Sequence, residues 1–373
     1  MDGFSTDKAA MDTINLIRYF KNQGGRALLY GFSYGTYLST RIINISEKKY
    51  PDLLDAVILD GVCGGKYCNF TKYDENQEVV ALRFIDRCAN DAFCSSKLGT
   101  SASEVLKNFD KAIKQNNKCT KPFDGLLKSV LVTAMAHSVM RLLIPAFIYR
   151  INRCSDDDVI AIPLMMKNAL KAKEEDSKSG PVTLPFSQII NFNIGISELQ
   201  GRFGSVNESK KFSEKCHLCG SQSSIYPYLF SLGFHAYNES KYRGVPVTKI
   251  PILLLNGDLD PQTGSEWAEN FYYDLKETSP NSQLIKFPNV VHHVLGNSLM
   301  EEVVESDDTC GYQIAVQFFE NPFTKLDASC TEKLLGLPFS GYKYTRERIT
   351  SDLYEGRGGK ETKSSSSLAR INK

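Results

Sequence analysis

No stretch of the 373 residues runs through about 18 apolar positions unbroken, the length that a membrane-spanning helix needs. The nearest candidate, Val130 to Ile151, is interrupted by His137, Arg141 and Pro145, so it is expected to form buried helices. Excess charge of one sign is missing as well. Lys and Arg number 44 against 43 Asp and Glu, a formal net charge of +1, and this argues against a partner bound by counterion displacement such as nucleic acid. The opening Met1-Asp2-Gly3-Phe4 has neither a basic region nor an apolar region of the kind that directs secretion.

Cysteine, by contrast, is plentiful. There are 10, several close together as Cys63/Cys68, Cys88/Cys94, Cys216/Cys219 and Cys310/Cys330, and Asn-x-Ser/Thr sequons occur at Asn44, Asn69, Asn207 and Asn238. An even cysteine count with sequons points to an oxidising compartment, secreted or lysosomal, even though no signal peptide is visible. With 42% hydrophobic residues the chain can bury a large core, as two lobes or as one domain with an insertion.

Along the chain, Ser5-Thr6-Asp7 offers N-cap residues to an amphipathic helix over Lys8 to Phe20. Arg26 to Tyr30 reads as a short buried strand, Tyr34 to Ile45 as a helix, and Leu54 to Asp60 as a second strand. From about Tyr67 to Gly244 no run alternates as a strand, and the pattern predicts helices over Val79 to Arg87, Ser103 to Gln115, Leu126 to Tyr149 with a break at Pro145, and Asp157 to Glu175 despite Pro163. Strands return at Ile250 to Asn256 and Gln283 to Phe287, with helices over Ser265 to Leu275 and Tyr312 to Phe319. This predicts an α/β core from residues 1–66 and 245–340, a helical lid over 67–244, and a disordered, basic, Ser-rich tail over 341–373 that includes Ser364 to Ser367.

The chemistry is concentrated at the ends of the strands. Leu28-Leu29-Tyr30-Gly31-Phe32-Ser33-Tyr34-Gly35-Thr36 is an apolar run ending in Gly-x-Ser-x-Gly before a helix, the context of a nucleophile elbow. Gly31 and Gly35 are expected to be the small neighbours that a strained serine requires. Asp260 follows the third strand and His292 the fourth, so Ser33, Asp260 and His292 occur in the order of an α/β-hydrolase triad. Parallel strands would bring all three to one rim. A serine hydroxyl needs a base for its proton, here His292, and the base needs an acid to orient it, here Asp260. Asp258 and His293 are the neighbouring rivals. His137, His217 and His235 lack this context and read as packed or solvated residues.

Several pieces resemble the tripeptidyl-aminopeptidase-like branch of the prolyl iminopeptidase serine peptidases. They are Ser5-Thr6-Asp7 through Asp12, Leu29 to Thr36, Ile58-Leu59-Asp60-Gly61, Phe84-Ile85-Asp86-Arg87-Cys88 with Cys94, Leu255 to Thr263, and Cys310-Gly311 with Leu326 to Cys330. The resemblance implies an α/β-hydrolase with a mostly parallel sheet and a large helical lid before the Asp-bearing strand. It further implies a secreted or lysosomal exopeptidase that releases short peptides or residues from free peptide N-termini, with Cys88/Cys94 and Cys310/Cys330 as disulfides.

Members of that family begin with four further strands and a His-Gly-Gly-type loop, neither of which precedes the first helix here. By the resemblance, the sheet is expected to be truncated, the elbow strand to form an edge, and only one oxyanion donor, the Tyr34 backbone N–H, to be encoded. Loss of one such donor commonly costs about 10²- to 10³-fold in kcat. Glu198 occupies a place where a lid acid could meet a substrate's ammonium group. Cys216-His217-Leu218-Cys219 lacks the second ligand pair of a zinc site, so a disulfide or structural role is expected. No cofactor or metal is implied. An esterase or lipase on the same scaffold, and a noncatalytic hydrolase-like fragment, are the alternatives.

Overall fold

The computed structural model describes residues 2–123, 126–178, 187–199, 211–212, 214–220, 225–234, 236–237, 240–300, 308–342, 349–350 and 352–356. Among these, strands β1 (Leu28–Phe32), β2 (Ala56–Asp60), β3 (Ile252–Gly257) and β4 (Ser282–Phe287) alternate with helices. Helices α1 (Thr6–Lys21) and α2 (Tyr34–Lys49) flank β1. Between β2 and β3 come α3 (Tyr73–Asn90), α4 (Ala92–Leu98), α5 (Ala102–Lys114), α6 (Leu126–Met135), α7 (Leu143–Arg153), α8 (Asp156–Lys178), α9 (Gln188–Ile194) and α10 (Ile225–Ser231). Then α11 (Ser265–Thr278) links β3 to β4, and α12 (Val294–Asn297) and α13 (Cys310–Glu320) follow.

The strands are parallel, in the order β1-β2-β3-β4. Every residue of β2 and β3 is buried, which explains their near-continuous apolar sequences. Val57, Leu59, Ile252 and Leu254 pack with Ala10 and Ile14 of α1, Ile42 and Ile43 of α2, and Phe271 and Leu275 of α11. Their alternates Ala56, Ile58, Leu253 and Leu255 pack on the other side with Phe287, Val294, Ile314 and Phe318. Each such side chain is worth about 1.5–3 kcal/mol when fully buried. Parallel pairing sets Phe32 beside Asp60, Asp60 beside Leu255, and Gly257 beside Phe287, so the carboxyl ends form one rim.

β1 departs from the buried strand expected of its composition. It lies at the sheet's edge, with Leu28 40% and Tyr30 37% exposed. The arrangement as a whole is α/β: a parallel sheet with a serine turn between β1 and α2, an aspartate after β3 and a histidine after β4.

The chain forms two compact units. One comprises Met1–Asn76, Ser187–Glu214 and Ser221–Leu335, and the other Gln77–Phe186, Lys215–Gly220 and Gly336–Lys373. The expected lid is thus divided. Much of its second half belongs with the sheet, because the buried Glu198 is ion-paired to Arg41 of α2 and Asn44 of α2 donates to the carbonyls of Tyr242 and Gly244. All ten cysteines pair, as Cys63–Cys68, Cys88–Cys94, Cys119–Cys154, Cys216–Cys219 and Cys310–Cys330.

In the helical unit the break falls before Pro145, which sits in the first turn of α7, where a missing N–H leaves no helical bond unmade. Pro163 lies within α8 without ending it. The tail is ordered further than its composition suggests. Ile349, Leu353 and Tyr354 are buried, and the fully buried Arg150 donates to the carbonyls of Leu353 (2.7 Å), Asp352 (3.2 Å) and Gly356 (2.8 Å). Ser364 to Ser367 lie outside the described residues.

Arg150 also pairs with Asp158 at 3.0 Å, both side chains being inaccessible. Arg150→Ala is expected to destabilise the protein by about 3–5 kcal/mol, since it removes one partner of a buried pair. It should also expose the chain near Leu353 to limited proteolysis. Denaturant unfolding with mass mapping of the cuts measures both, and an unchanged midpoint would refute the assignment.

Candidate active site

Ser33 joins β1 to α2 with φ 56° and ψ −124°, a conformation that costs a non-glycine residue of order 1–3 kcal/mol. Its surroundings hold it there. The Ser33 N–H donates to the carbonyl of Asp60 (2.9 Å), and Thr36 Oγ1 donates to the Ser33 carbonyl (2.6 Å) while accepting from the N–H of Cys63 (2.7 Å). Of the two flanking glycines only Gly31 is forced by space: a Cβ there would stand 2.5 Å from the carbonyl oxygen of Gly35. A Cβ on Gly35 would meet nothing within 4 Å, so the expected symmetry of small neighbours holds on one side alone.

Asp260 and His292 meet at the same rim. His292 Nδ1 lies 2.8 Å from Asp260 Oδ2 and 3.2 Å from Thr263 Oγ1. Asp260 Oδ1 accepts from the N–H groups of Gln262 (2.8 Å) and Thr263 (2.9 Å), and Oδ2 also accepts from Thr263 Oγ1 (2.7 Å). With Nδ1 directed at the carboxylate, His292 Nε2 is left buried without a hydrogen-bond partner among the described residues. Burial alone would pull the imidazole pKa down. The charge and hydrogen bond of Asp260, with a contribution from Asp60, outweigh it and raise the pKa above the usual 6.5.

Phe32 brings this pair against the strand that carries the serine. Its ring lies 4.7 Å from the His292 ring and 4.5 Å from that of His293. The rivals are placed otherwise. Asp258 accepts from the N–H of Asn289 (2.8 Å), tying the β3 loop to the β4 loop. His293 has φ 69°, and burial holds its pKa below the usual value.

Two buried polar residues within the sequence motifs were assigned no role there. Asn256 lies one residue before the end of β3, where its Oδ1 accepts from the N–H of Val62 (2.7 Å) and its Nδ2 donates to the carbonyl of Thr263 (2.9 Å). Asp60 ends β2, inaccessible to solvent, and accepts from the N–H groups of Val294 (2.7 Å) and Leu295 (3.0 Å) and from the Tyr30 hydroxyl (2.8 Å). A polar side chain closing an otherwise apolar strand was the available signal, since a buried polar group requires partners.

Tyr34 opens α2, so its N–H has no acceptor within the helix. Its hydroxyl is 3.0 Å from Thr6 Oγ1, and burial, partly offset by that hydrogen bond, pushes its pKa up to about 12. Glu198 is buried in a π-helical turn (Gly195–Leu199). Its Oε2 accepts from the Tyr37 hydroxyl (2.8 Å) and Arg41 Nη2 (2.9 Å), and its Oε1 accepts from the Tyr237 hydroxyl (2.7 Å). Arg41 pairs with Asp7 as well. Glu198 is therefore already paired with a cation, which it shares with Asp7.

The remaining histidines stand apart. His137 accepts from the N–H groups of Val139 and Met140, and His217 contacts Glu78 at 2.6 Å beside the Cys216–Cys219 pair. Of the sequons, Asn44 lies inside α2, with its Nδ2 donating to the carbonyls of Tyr242 and Gly244. Asn69 caps a 3-10 turn, and Asn207, Asn238 and His235 lie outside the described residues.

The glycine asymmetry is testable by denaturant unfolding. Gly31→Ala is expected to destabilise the fold by about 1–3 kcal/mol through forced displacement of the elbow, whereas Gly35→Ala should leave stability unchanged or slightly raised. Equal losses in both would contradict the geometry.

The chain matches no family model and no curated protein. Among solved structures it is similar to one described as an alpha/beta hydrolase enzyme from a Medee basin deep-sea metagenome library. The identity is 14% and the TM-score 0.30, over 84% of this chain and 72% of that one.

Proposed function

We propose that this protein is a serine hydrolase in which Ser33 is the nucleophile, His292 the base and Asp260 the acid that orients it. The observation that carries the reading is the Asp260–His292 contact at 2.8 Å, with Nε2 left unpaired on the rim where the strained Ser33 sits. A hydrogen on Nδ1 directed at Asp260 leaves the Nε2 lone pair to accept the Ser33 proton as Oγ attacks an acyl carbon. The negative charge passes to the acyl oxygen, for which the Tyr34 N–H is the donor. The imidazolium returns the proton to the leaving group, giving an acyl-enzyme. Water then repeats the sequence, its proton going to Nε2 and on to Ser33 Oγ as the acid product departs.

The substrate class in this reading is peptides with a free N-terminus, Glu198 being the residue expected to face the ammonium group. One observation favours the esterase alternative: Glu198 is already engaged by Arg41, Tyr37 and Tyr237, so an ammonium group would have to displace partners. Free-amine peptides, N-acetylated peptides and acyl esters, assayed side by side, separate the two. Peptide cleavage that needs the free amine, with a raised KM for Glu198→Gln on those substrates alone, supports the exopeptidase. Ester cleavage indifferent to the amine supports the esterase. A secreted or lysosomal location is part of the proposal, and the five cysteine pairs are compatible with it.

A fluorophosphonate should label Ser33 in the native chain and nothing in Ser33→Ala. Asp260→Asn is expected to lower kcat by about 10⁴-fold. The base must be neutral to accept a proton, and its pKa is raised. Activity should therefore be complete at alkaline pH and fall as pH drops through a value above 6.5 in a pH profile of kcat/KM. Absence of labelling would leave the noncatalytic reading, whereas a profile flat to pH 5 would refute His292 as the base.

A further inference from the structure

We propose that Asp60 is a positioning residue of this site, its backbone holding the nucleophile and its side chain holding the loop that carries the base. The inference rests on the serine-hydrolase reading and adds a residue to it. Asp60 ends the strand between the elbow strand and the acid strand. Its carbonyl accepts the Ser33 N–H (2.9 Å), and its two carboxylate oxygens accept the N–H groups of Val294 and Leu295, the residues that follow His292-His293.

Local sequence cannot supply these bonds. Val294 and Leu295 open the four-residue helix α12, whose N-cap residue, His293, makes no capping bond with its own side chain. The first N–H groups of a helix have no internal acceptor. Asp60, 234 residues earlier in the chain, provides one instead. The turn so held is strained, with His293 at φ 69°, and such a conformation persists only where the surroundings over-determine it. Phe32 packs on both histidine rings, and Asn297 Nδ2 donates to the His292 carbonyl (2.8 Å), completing the support.

The carboxylate has an electrostatic part too. The charged or titratable groups around it are Tyr30 on β1 and His292 and His293 on the loop, and Asp260 faces His292 from the β3 loop. Burial pushes the Asp60 pKa up, against the pull of the Leu295 and Val294 N–H groups, His293 and the Tyr30 hydroxyl; in its ionised form its charge adds to that of Asp260 in favouring the imidazolium that forms when Ser33 gives up its proton. Three donors converge on Asp60, a pattern suited to a carboxylate, which accepts and does not donate.

Asp60→Asn keeps the shape, but its NH₂ opposes one of the backbone N–H groups. In the full chain, kcat is expected to fall about 10²-fold with KM nearly unchanged, as for a misplaced catalytic group. The acid limb of the pH profile should move to lower pH, and NMR titration of the His292 imidazole should show the same shift. Tyr30→Phe, which removes a single donor from a half-exposed edge residue, should lower kcat less, again without a change in KM. It serves as the test where Asp60→Asn does not fold. A normal kcat and an unmoved His292 titration in folded Asp60→Asn would overturn the proposal, as would an unaltered kcat in Tyr30→Phe where that variant is the test. Fluorophosphonate mapping on the native chain separates this from the underlying reading: no adduct on Ser33 refutes the hydrolase, whereas an adduct with unchanged variants refutes Asp60 alone.

Discussion

A carboxylate enclosed by apolar strands has to be surrounded by donors, because an unpaired buried charge costs more than any neighbouring contact returns. Two such groups, Asp60 and Asp260, organise the rim of this sheet. Asp260 gathers the Gln262 and Thr263 amides, the Thr263 hydroxyl and His292, while Asp60 gathers two amides from the turn after His292 and a tyrosine from the edge strand. Asp60 solves its solvation problem by fixing backbone from another part of the chain, and Asp260 by fixing its own turn and the imidazole of His292. The rigidity of the candidate site follows from that solvation requirement.

The same logic operates with the opposite sign elsewhere. In the sheet-bearing unit, Arg41 is buried between Asp7 and Glu198 and so binds α1, α2 and the π-helical turn together. In the helical unit, Arg150 is buried against Asp158 and three carbonyls of the C-terminal segment. The planar guanidinium presents several fixed donors, which suits it to holding irregular backbone that has no secondary-structure partner. In the helical unit this converts a segment of disordered composition into an ordered one.

Much of the fold was legible because β2 and β3 are buried on both faces and read as unbroken apolar runs, while amphipathic α1 and α2 carry helical periodicity. The placement of Ser33, Asp260 and His292 was legible because each follows a strand, and parallel pairing sends strand ends to one rim. Other features were not. β1 has the composition of an interior strand, and its edge position, expected only by the resemblance, depends on its having no neighbour beyond it among the described residues. Pro145 looks like a break within a helix and is a start. Glu198 looks like a free acid, and only the approach of Arg41, 157 residues away in sequence, pairs it.

By itself, the sequence determined the strand–serine–helix order, the succession of acid and base, and the helical character of the long segment between β2 and β3, because these depend on local periodicity and on which residues end each strand. Tertiary structure decided which group meets which: the approach of His292 Nδ1 to Asp260, the capping of α12 by Asp60, the pairing of Cys119 with Cys154, and the anchoring of Asp352, Leu353 and Gly356 by Arg150. Those contacts join positions far apart in the chain. No local pattern records them, since the requirement they satisfy, an acceptor or a charge enclosed without water, exists only once the chain has closed around it.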